Sequence, residues 1–230
     1  MAVSSEVNKR SGSGELETKA SEVQVRKLQD EWTLYLRRDE KSRAKSWEES
    51  IEKITTINSI ELFWSVMNRI VSPSSFSSGC DEMIFKQGIF PMAELHPNNL
   101  GCFCQLRVSL RNLSQPQSNN NSHPEGRNQI ELFRKNQQER AAECVDSIWL
   151  TLCAMFLGCV NQELDEVVTG LIMQAKPNQQ YRFQVWTQVT DQSIMNQLCQ
   201  ELNEKLHDIC AKTDCQLNAK FDIQTHRIYK

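Results

Sequence analysis

Apolar residues recur along this chain with two different periods, and the periods divide it into strands and helices. Trp32, Leu34 and Leu36 alternate against Thr33, Tyr35 and Arg37, the two-residue period of a strand that begins near Leu28. A polar turn leads through Trp47 to a short apolar segment with Ile51, Ile54 and Ile57. Asn58 or Ser59 can cap a helix running to about Ile70, with Leu62, Phe63, Val66, Met67 and Ile70 on its inner side. Ile60 and Trp64 fall together on its flank, where the core arc does not need them. The Ser-rich loop from Pro73 to Gly79 gives way to a mixed stretch, CDEMIFKQGIFPMAEL, in which Gly88 and Pro91 forbid a long helix.

A second strand is plain where Cys104, Leu106, Val108 and Leu110 alternate with Phe103, Gln105, Arg107 and Ser109. The Asn-, Ser- and Gln-rich segment at about 112–128 reads as a flexible insertion. A long helix is predicted from about 137 to Leu157, stopped by Gly158. Val145, Ile148, Leu152, Met155 and Phe156 form its main stripe, while Leu150, Ala154 and Leu157 lie opposite, an apolar strip that suggests a partner. Strands are predicted at Gly170 to Lys176 and Tyr181 to Val189, joined by a turn at Pro177. In the second, Tyr181, Phe183 and Val185 share one face, and Arg182, Gln184 and Trp186 share the other, solvent-side face. Asp191 caps a helix to about Cys210, and Gln216 to Thr225 alternates again. The sum is an α+β domain: a curved, mainly antiparallel sheet with about three helices packed on its convex face.

Composition narrows the class. Residues 1–25 are rich in Ser, Gly, Glu and Lys and cannot offset their ordering entropy, so they read as a disordered tail before a single domain at 26–230. No run of about 18 apolar residues occurs, which implies a soluble protein, cytoplasmic or also nuclear, with no membrane partner. A net charge of -3 argues against coating long nucleic acid but leaves room for a small basic pocket. Cys144, Cys153, Cys159, Cys199 and Cys210 sit in helical apolar patterns and read as small core residues in a reducing compartment. Cys102-Phe-Cys104 lacks the companions of a zinc knuckle, so neither a metal nor a cofactor is expected. There is no GxxxxGK[ST] loop, no HExxH and no nucleophile beside a histidine in a recognisable motif, which leaves an enzyme disfavoured.

The strings LQDEWTLYL, KSWEESI, SIELFWSVMNRI, GCDEMIFKQGIFPMAE, DSIWLTLCAMFLG and YRFQVWTQV, together with their order, resemble the translation initiation factor 4E family over roughly residues 26–225. The resemblance implies a protein that binds the 5′ 7-methylguanosine cap of messenger RNA, its cationic base held between two tryptophans. Trp47 corresponds to the first, and an indole face is a good partner for a cation. Glu94 corresponds to the carboxylate that accepts hydrogen bonds from the base edge. Lys176, in place of an arginine, and Arg182 correspond to the phosphate ligands, and Trp186 to a tryptophan near the methyl group. Tyr35 replaces a structural tryptophan, and Cys102 stands where an additional arginine is usual. Ala93 stands where the second stacking tryptophan would be. Either one ring and the edge contacts hold the cap, or another aromatic group moves in, or tight cap binding is lost.

On the helix side the resemblance implies a surface for a scaffold or repressor carrying a helical Tyr-x-x-x-x-Leu-apolar segment. Trp64 is its central residue, with Ile60 and Leu150 as neighbours, and Arg26-Lys27 replaces a His-Pro pair before the first strand. A loop that closes over the phosphates in many relatives is expected to be short or absent after Ile223. The alternative reading is a 4E-fold interaction module with weak or lost cap binding.

Overall fold

The computed structural model describes residues 25–38, 46–110 and 127–226. The tail, apart from Val25, and the insertion, apart from its last two residues, lie outside them. Seven strands form one antiparallel sheet: β1 (Lys27–Arg37), β2 (Ile51–Ser59), β3 (Asp81–Lys86), β4 (Cys102–Ser109), β5 (Val168–Lys176), β6 (Gln180–Thr187) and β7 (Asp222–Thr225). Their spatial order is β2-β1-β3-β5-β6-β4-β7. The helices are α1 (Ile60–Met67), α2 (Arg127–Leu157), α3 (Gln162–Val167) and α4 (Gln192–Thr213).

Two parts of the expected architecture are corrected. Four α-helices, not about three, occur among the described residues. The fourth, α3, has only six residues, too few for a helical period to show. The sheet, expected to be curved with the helices on a convex face, is open and not curled on itself: β2 and β7 each pair with one neighbour. It has no need to close, because each of its faces is covered separately. Trp32, Leu34, Ile84, Leu106, Leu171 and Phe183 meet α2 and α4 on one side. Tyr35, Met83, Phe85, Ile172 and Trp186 form a second cluster on the other, roofed by Ile89, Phe90 and Ala93 from the segment after β3.

Local chemistry explains most boundaries. The Ser59 hydroxyl accepts from the Leu62 N–H (3.2 Å), and Asp191 Oδ1 accepts from Ser193 N (2.9 Å) and Ile194 N (3.1 Å), so α1 and α4 begin where a side chain satisfies their first donors. Helix α1 ends at Met67, three residues short of the predicted Ile70. Helix α2 begins ten residues before the predicted 137. Leu157, expected on its outer strip, is buried, whereas Leu150 is half-buried and Ala154 exposed, so the outward apolar strip is narrower than the wheel suggests. Of the five cysteines read as core, Cys144 and Cys153 are fully buried; Cys159, Cys199 and Cys210 are half-buried, and all nine thiols of the chain are free. Among the described residues no helix is long and apolar enough to cross a membrane.

Strand β3 is central, between β1 and β5, and carries two consecutive acids that are both wholly buried, Asp81 and Glu82. The pleat sends them to opposite faces. Glu82 points into the helix-side core, where neither carboxylate oxygen has a hydrogen-bond partner and the Trp149 indole N–H approaches without closing a bond of normal geometry. Burial therefore pushes its pKa up from the ordinary 4.5 to about 7, opposed by the indole and assisted by Asp146. The folded protein keeps a proton that the unfolded chain loses, so this part of the stability is complete below pH 4.5 and is lost as pH rises to about 7. Glu82→Gln, which is uncharged at every pH, should raise unfolding stability at pH 8 by roughly 3 kcal/mol and change it little near pH 4.5. Urea denaturation of both proteins across that range measures the difference, and equal slopes with pH would remove Glu82 as the cause.

Candidate functional site

The face of the sheet opposite α2 and α4 is organised in rows that run across the strands. One row comprises Arg37, Asp81, Gln174, Arg182 and Arg107, each directly opposite the next on β1, β3, β5, β6 and β4. Asp81 Oδ2 accepts from Arg37 Nε (2.8 Å) and from Gln174 Nε2 (3.0 Å), and Arg182 Nη1 reaches Gln174 Oε1 at 3.5 Å. Lys176 lies two residues beyond Gln174 on the same face of β5. The group therefore holds four cations against one buried carboxylate. Burial holds the Lys176 pKa below its ordinary value, with Asp81 opposing and Arg182 and Arg37 adding to the effect. Burial and then Arg107 do the same to Arg182, again against Asp81. Like charges opposed across a ladder are unfavourable, and an anion placed among them relieves the repulsion.

Trp47 stands at the Arg37 end. The Arg37 guanidinium carbon is 4.6 Å from the centroid of its ring. Its backbone is fixed by a short turn: the Trp47 carbonyl accepts from Ser50 N (3.1 Å) and Ser50 Oγ (2.5 Å), and Ser46 Oγ accepts from Glu49 N (3.2 Å). The indole is nevertheless 42% exposed, unusual for a large aromatic side chain.

The same face becomes aromatic two rows away, where Thr33, Phe85, Gly170, Trp186 and Phe103 are cross-strand partners. Gly170 has no choice here, because a Cβ would lie 2.3 Å from the Phe85 ring. The bare backbone lets Phe85 lie across it and meet Trp186 edge-on at 5.5 Å. Phe103 stacks on Trp186 at 6.1 Å and His226 packs against both, at 5.0 and 4.4 Å. Burial lowers the His226 pKa, with nearby Glu94 opposing. Glu94 is exposed, next to half-buried Ala93, on a segment held by Asn98. Asn98 is wholly buried, and its Nδ2 donates to the carbonyls of Phe90 (2.9 Å) and Met92 (3.0 Å).

Across the sheet, α1 packs on β2, buries Phe63 and leaves Trp64 43% exposed, edge-on to Phe63 at 5.1 Å. Ile60 and Leu150 are half-buried, and Leu150 packs against the main core. Arg26 bonds Glu61 through both its backbone N–H (3.0 Å) and its Nε (2.9 Å), which fixes the chain entering this surface.

The sequence pattern of the family Eukaryotic initiation factor 4E matches residues 27–228. This chain belongs to that family. A mouse relative, eukaryotic translation initiation factor 4E type 1B, is 40% identical over 74 residues, 32% of this chain and 30% of its own length. A zebrafish relative, 4E-1B, is 42% identical over 74 residues, 32% of this chain and 34% of its own. The chain thus aligns with about a third of the length of these relatives. A Candida albicans 4E factor is 22% identical over 179 residues, 78% of this chain and 72% of that one. Among solved structures, eIF4E-3 of C. elegans, in complex with the 4E-binding protein Mextli and a cap analog, superposes with a TM-score of 0.64 at 20% identity, covering 89% of this chain and 94% of that one. Ascaris suum eIF4E-3 with m7G cap gives 0.65 at 20% identity, covering 90% and 96%. These likenesses establish the fold. The 4E family is not a family of enzymes. Among the described residues no metal-ligating cluster gathers.

In this 4E-family chain Lys176, Arg182 and Trp186 occupy one sheet face, Trp47 connects to them through Arg37, Asp81 and Gln174, and Glu94 reaches the far end beside His226. Trp186 is not on a solvent-side surface, as its alternation suggests; the 89–93 segment and the rings around it leave it 7% exposed. Sequence reading missed Arg37, Asp81, Gln174, His226 and Asn98. The alternation in β1 does place Arg37 with Thr33 and Tyr35, but nothing in it says which face binds, and β3 was not recognised as a strand. Asn98→Ala removes the two side-chain bonds that brace the Glu94 segment. Amide hydrogen exchange over residues 89–99 should accelerate by about tenfold or more, while the central strands keep their protection.

Proposed function

We propose that this protein binds the 5′ 7-methylguanosine cap of messenger RNA and links it to a translation initiation scaffold or a repressor, in the cytoplasm or also the nucleus. The observation that carries the reading is the pairing of a half-exposed indole, Trp47, with a row of cations that share one buried carboxylate. A methylated purine is a cation suited to an indole face, and its phosphates are anions suited to Lys176, Arg182 and Arg107. Glu94 accepts from the base edge, and Trp186 lines the aromatic end. The cap-bound nematode factors of the same fold support the assignment.

Trp64, Ile60 and Leu150 form the partner surface, which takes an amphipathic helix with a Tyr-x-x-x-x-Leu-apolar pattern. Solved neighbours in complex with Mextli and, in the schistosome, with 4E-BP support a protein partner. Ala93 favours a second reading, a 4E-fold interaction module with weak or lost cap binding, because the chain places no indole opposite Trp47 from that position.

Titration of intrinsic tryptophan fluorescence with 7-methyl-GTP, beside GTP, separates the two readings. Saturable quenching that prefers the methylated nucleotide, weakened at least about tenfold in Trp47→Ala, is the expected result. An equal, unsaturable response to both nucleotides leaves the interaction module. For the other surface, a helical peptide carrying the Tyr-x-x-x-x-Leu-apolar pattern should bind, and Trp64→Ala should weaken it by about thirtyfold, the scale of a central aromatic anchor. A peptide affinity indifferent to Trp64 moves the partner elsewhere.

A further inference from the structure

We infer that Arg37 sets how strongly this site prefers a methylated, cationic base over an unmethylated one. The inference rests on the cap-binding reading above and deepens it. Its basis is a geometry that the expected ligand set does not contain: one face of the Trp47 indole already carries a cation, the Arg37 guanidinium centred 4.6 Å from the ring.

That cation does not move aside easily. Arg37 lies within the β1 ladder and donates from Nε to the fully buried Asp81 carboxylate at 2.8 Å, with only 17% of its side chain exposed. Leaving Trp47 would expose Asp81 to the loss of its charged partner, with Gln174 alone still donating to that oxygen. A base therefore stacks on the opposite face of the indole, and Arg37 stays behind it. The ring then separates two cations whenever the base is methylated. Arg37 lies 4.6 Å from the ring and a stacked base about 3.5 Å beyond, so the charges stand about 8 Å apart. At that separation the repulsion weakens binding of the cationic base by roughly twofold to thirtyfold, depending on how much solvent screens the pair. It does not act on a neutral guanine. The phosphates feel Arg37 equally in both ligands, so their attraction cancels in the ratio of the two affinities. With Ala93 in place of a second ring, the stacking energy rests on Trp47 alone among the two sandwich positions, and the charge behind it weighs more. Arg37 is thus a specificity-determining residue: it holds the indole plane through Asp81 while reducing the advantage that methylation gives.

The test is the ratio of dissociation constants for GTP and 7-methyl-GTP in the full chain, by fluorescence titration, in wild type, Arg37→Gln and Arg37→Lys. Glutamine keeps a donor for Asp81 and removes the charge; lysine keeps the charge and removes the planar fork. Arg37→Gln should raise the ratio by about twofold to thirtyfold, and Arg37→Lys should leave it close to that of wild type. A merely structural role would move both affinities together and leave the ratio unchanged. Should Arg37→Gln fail to fold by circular dichroism, the double variant Arg37→Met/Asp81→Asn removes both buried charges; the ratio should still rise, but by less, because the opposing attraction of Asp81 for the cationic base goes with it. A ratio that does not rise in the uncharged variants, or that rises equally in Arg37→Lys, overturns the inference while leaving cap binding in place. Absence of saturable binding by either nucleotide to wild type overturns the cap reading, and this inference with it.

Discussion

A wholly buried carboxylate in the middle of an antiparallel sheet has to be paired, and the pairing of Asp81 organises the face on which it lies. Its Oδ2 atom takes a guanidinium from β1 and a side-chain amide from β5, so one atom ties together three strands. Through Arg37 the tie reaches the Trp47 indole; through Gln174 it reaches Arg182 on β6. The stacking surface and the cationic surface are thereby parts of one rigid network whose members are set by strand register. A shift of one residue in any of these strands would send the row to the other face.

The neighbouring residue on β3 shows the same physics with the opposite outcome. Glu82 faces the helix side, finds no cation, and lowers its cost by keeping its proton to about pH 7. Two consecutive acids thus read differently because the pleat gives them different company. The helix-side layer above Glu82, built from α2 and α4, is mainly apolar, and it supports the outward residues of the second surface: Leu150 packs on that core, while Trp64 stands out from α1.

Membership of the 4E family explains the architecture, and the departures from the family's pattern explain where this chain is individual. Ala93 joins the small cluster around Trp186 and Phe85, where Phe103 and His226 fill the aromatic end. The Glu94 segment lies outside the strands and α-helices, and two hydrogen bonds from the buried Asn98 side chain hold it together with local backbone bonds such as Met92 N to the Phe90 carbonyl (2.7 Å).

What the sequence determined by itself is what depends on near neighbours. The alternation in β1, β4 and β6, the caps Ser59 and Asp191, the helix stop before Gly158 and the family strings were all legible, because periodicity, capping and local motifs are written within a few residues. Trp47, Trp64 and Arg182 could be singled out for the same reason. The tertiary structure alone decided that β3 is a central strand despite its two leading acids, that α3 is a helix, that Leu157 is buried and that the sheet stays open. It also decided that Arg37, Asp81, Gln174, Arg182 and Arg107 form one row. These positions are separated by dozens of residues in the chain, and what joins them is strand order and register, which are fixed by the packing of the whole sheet rather than by any local pattern.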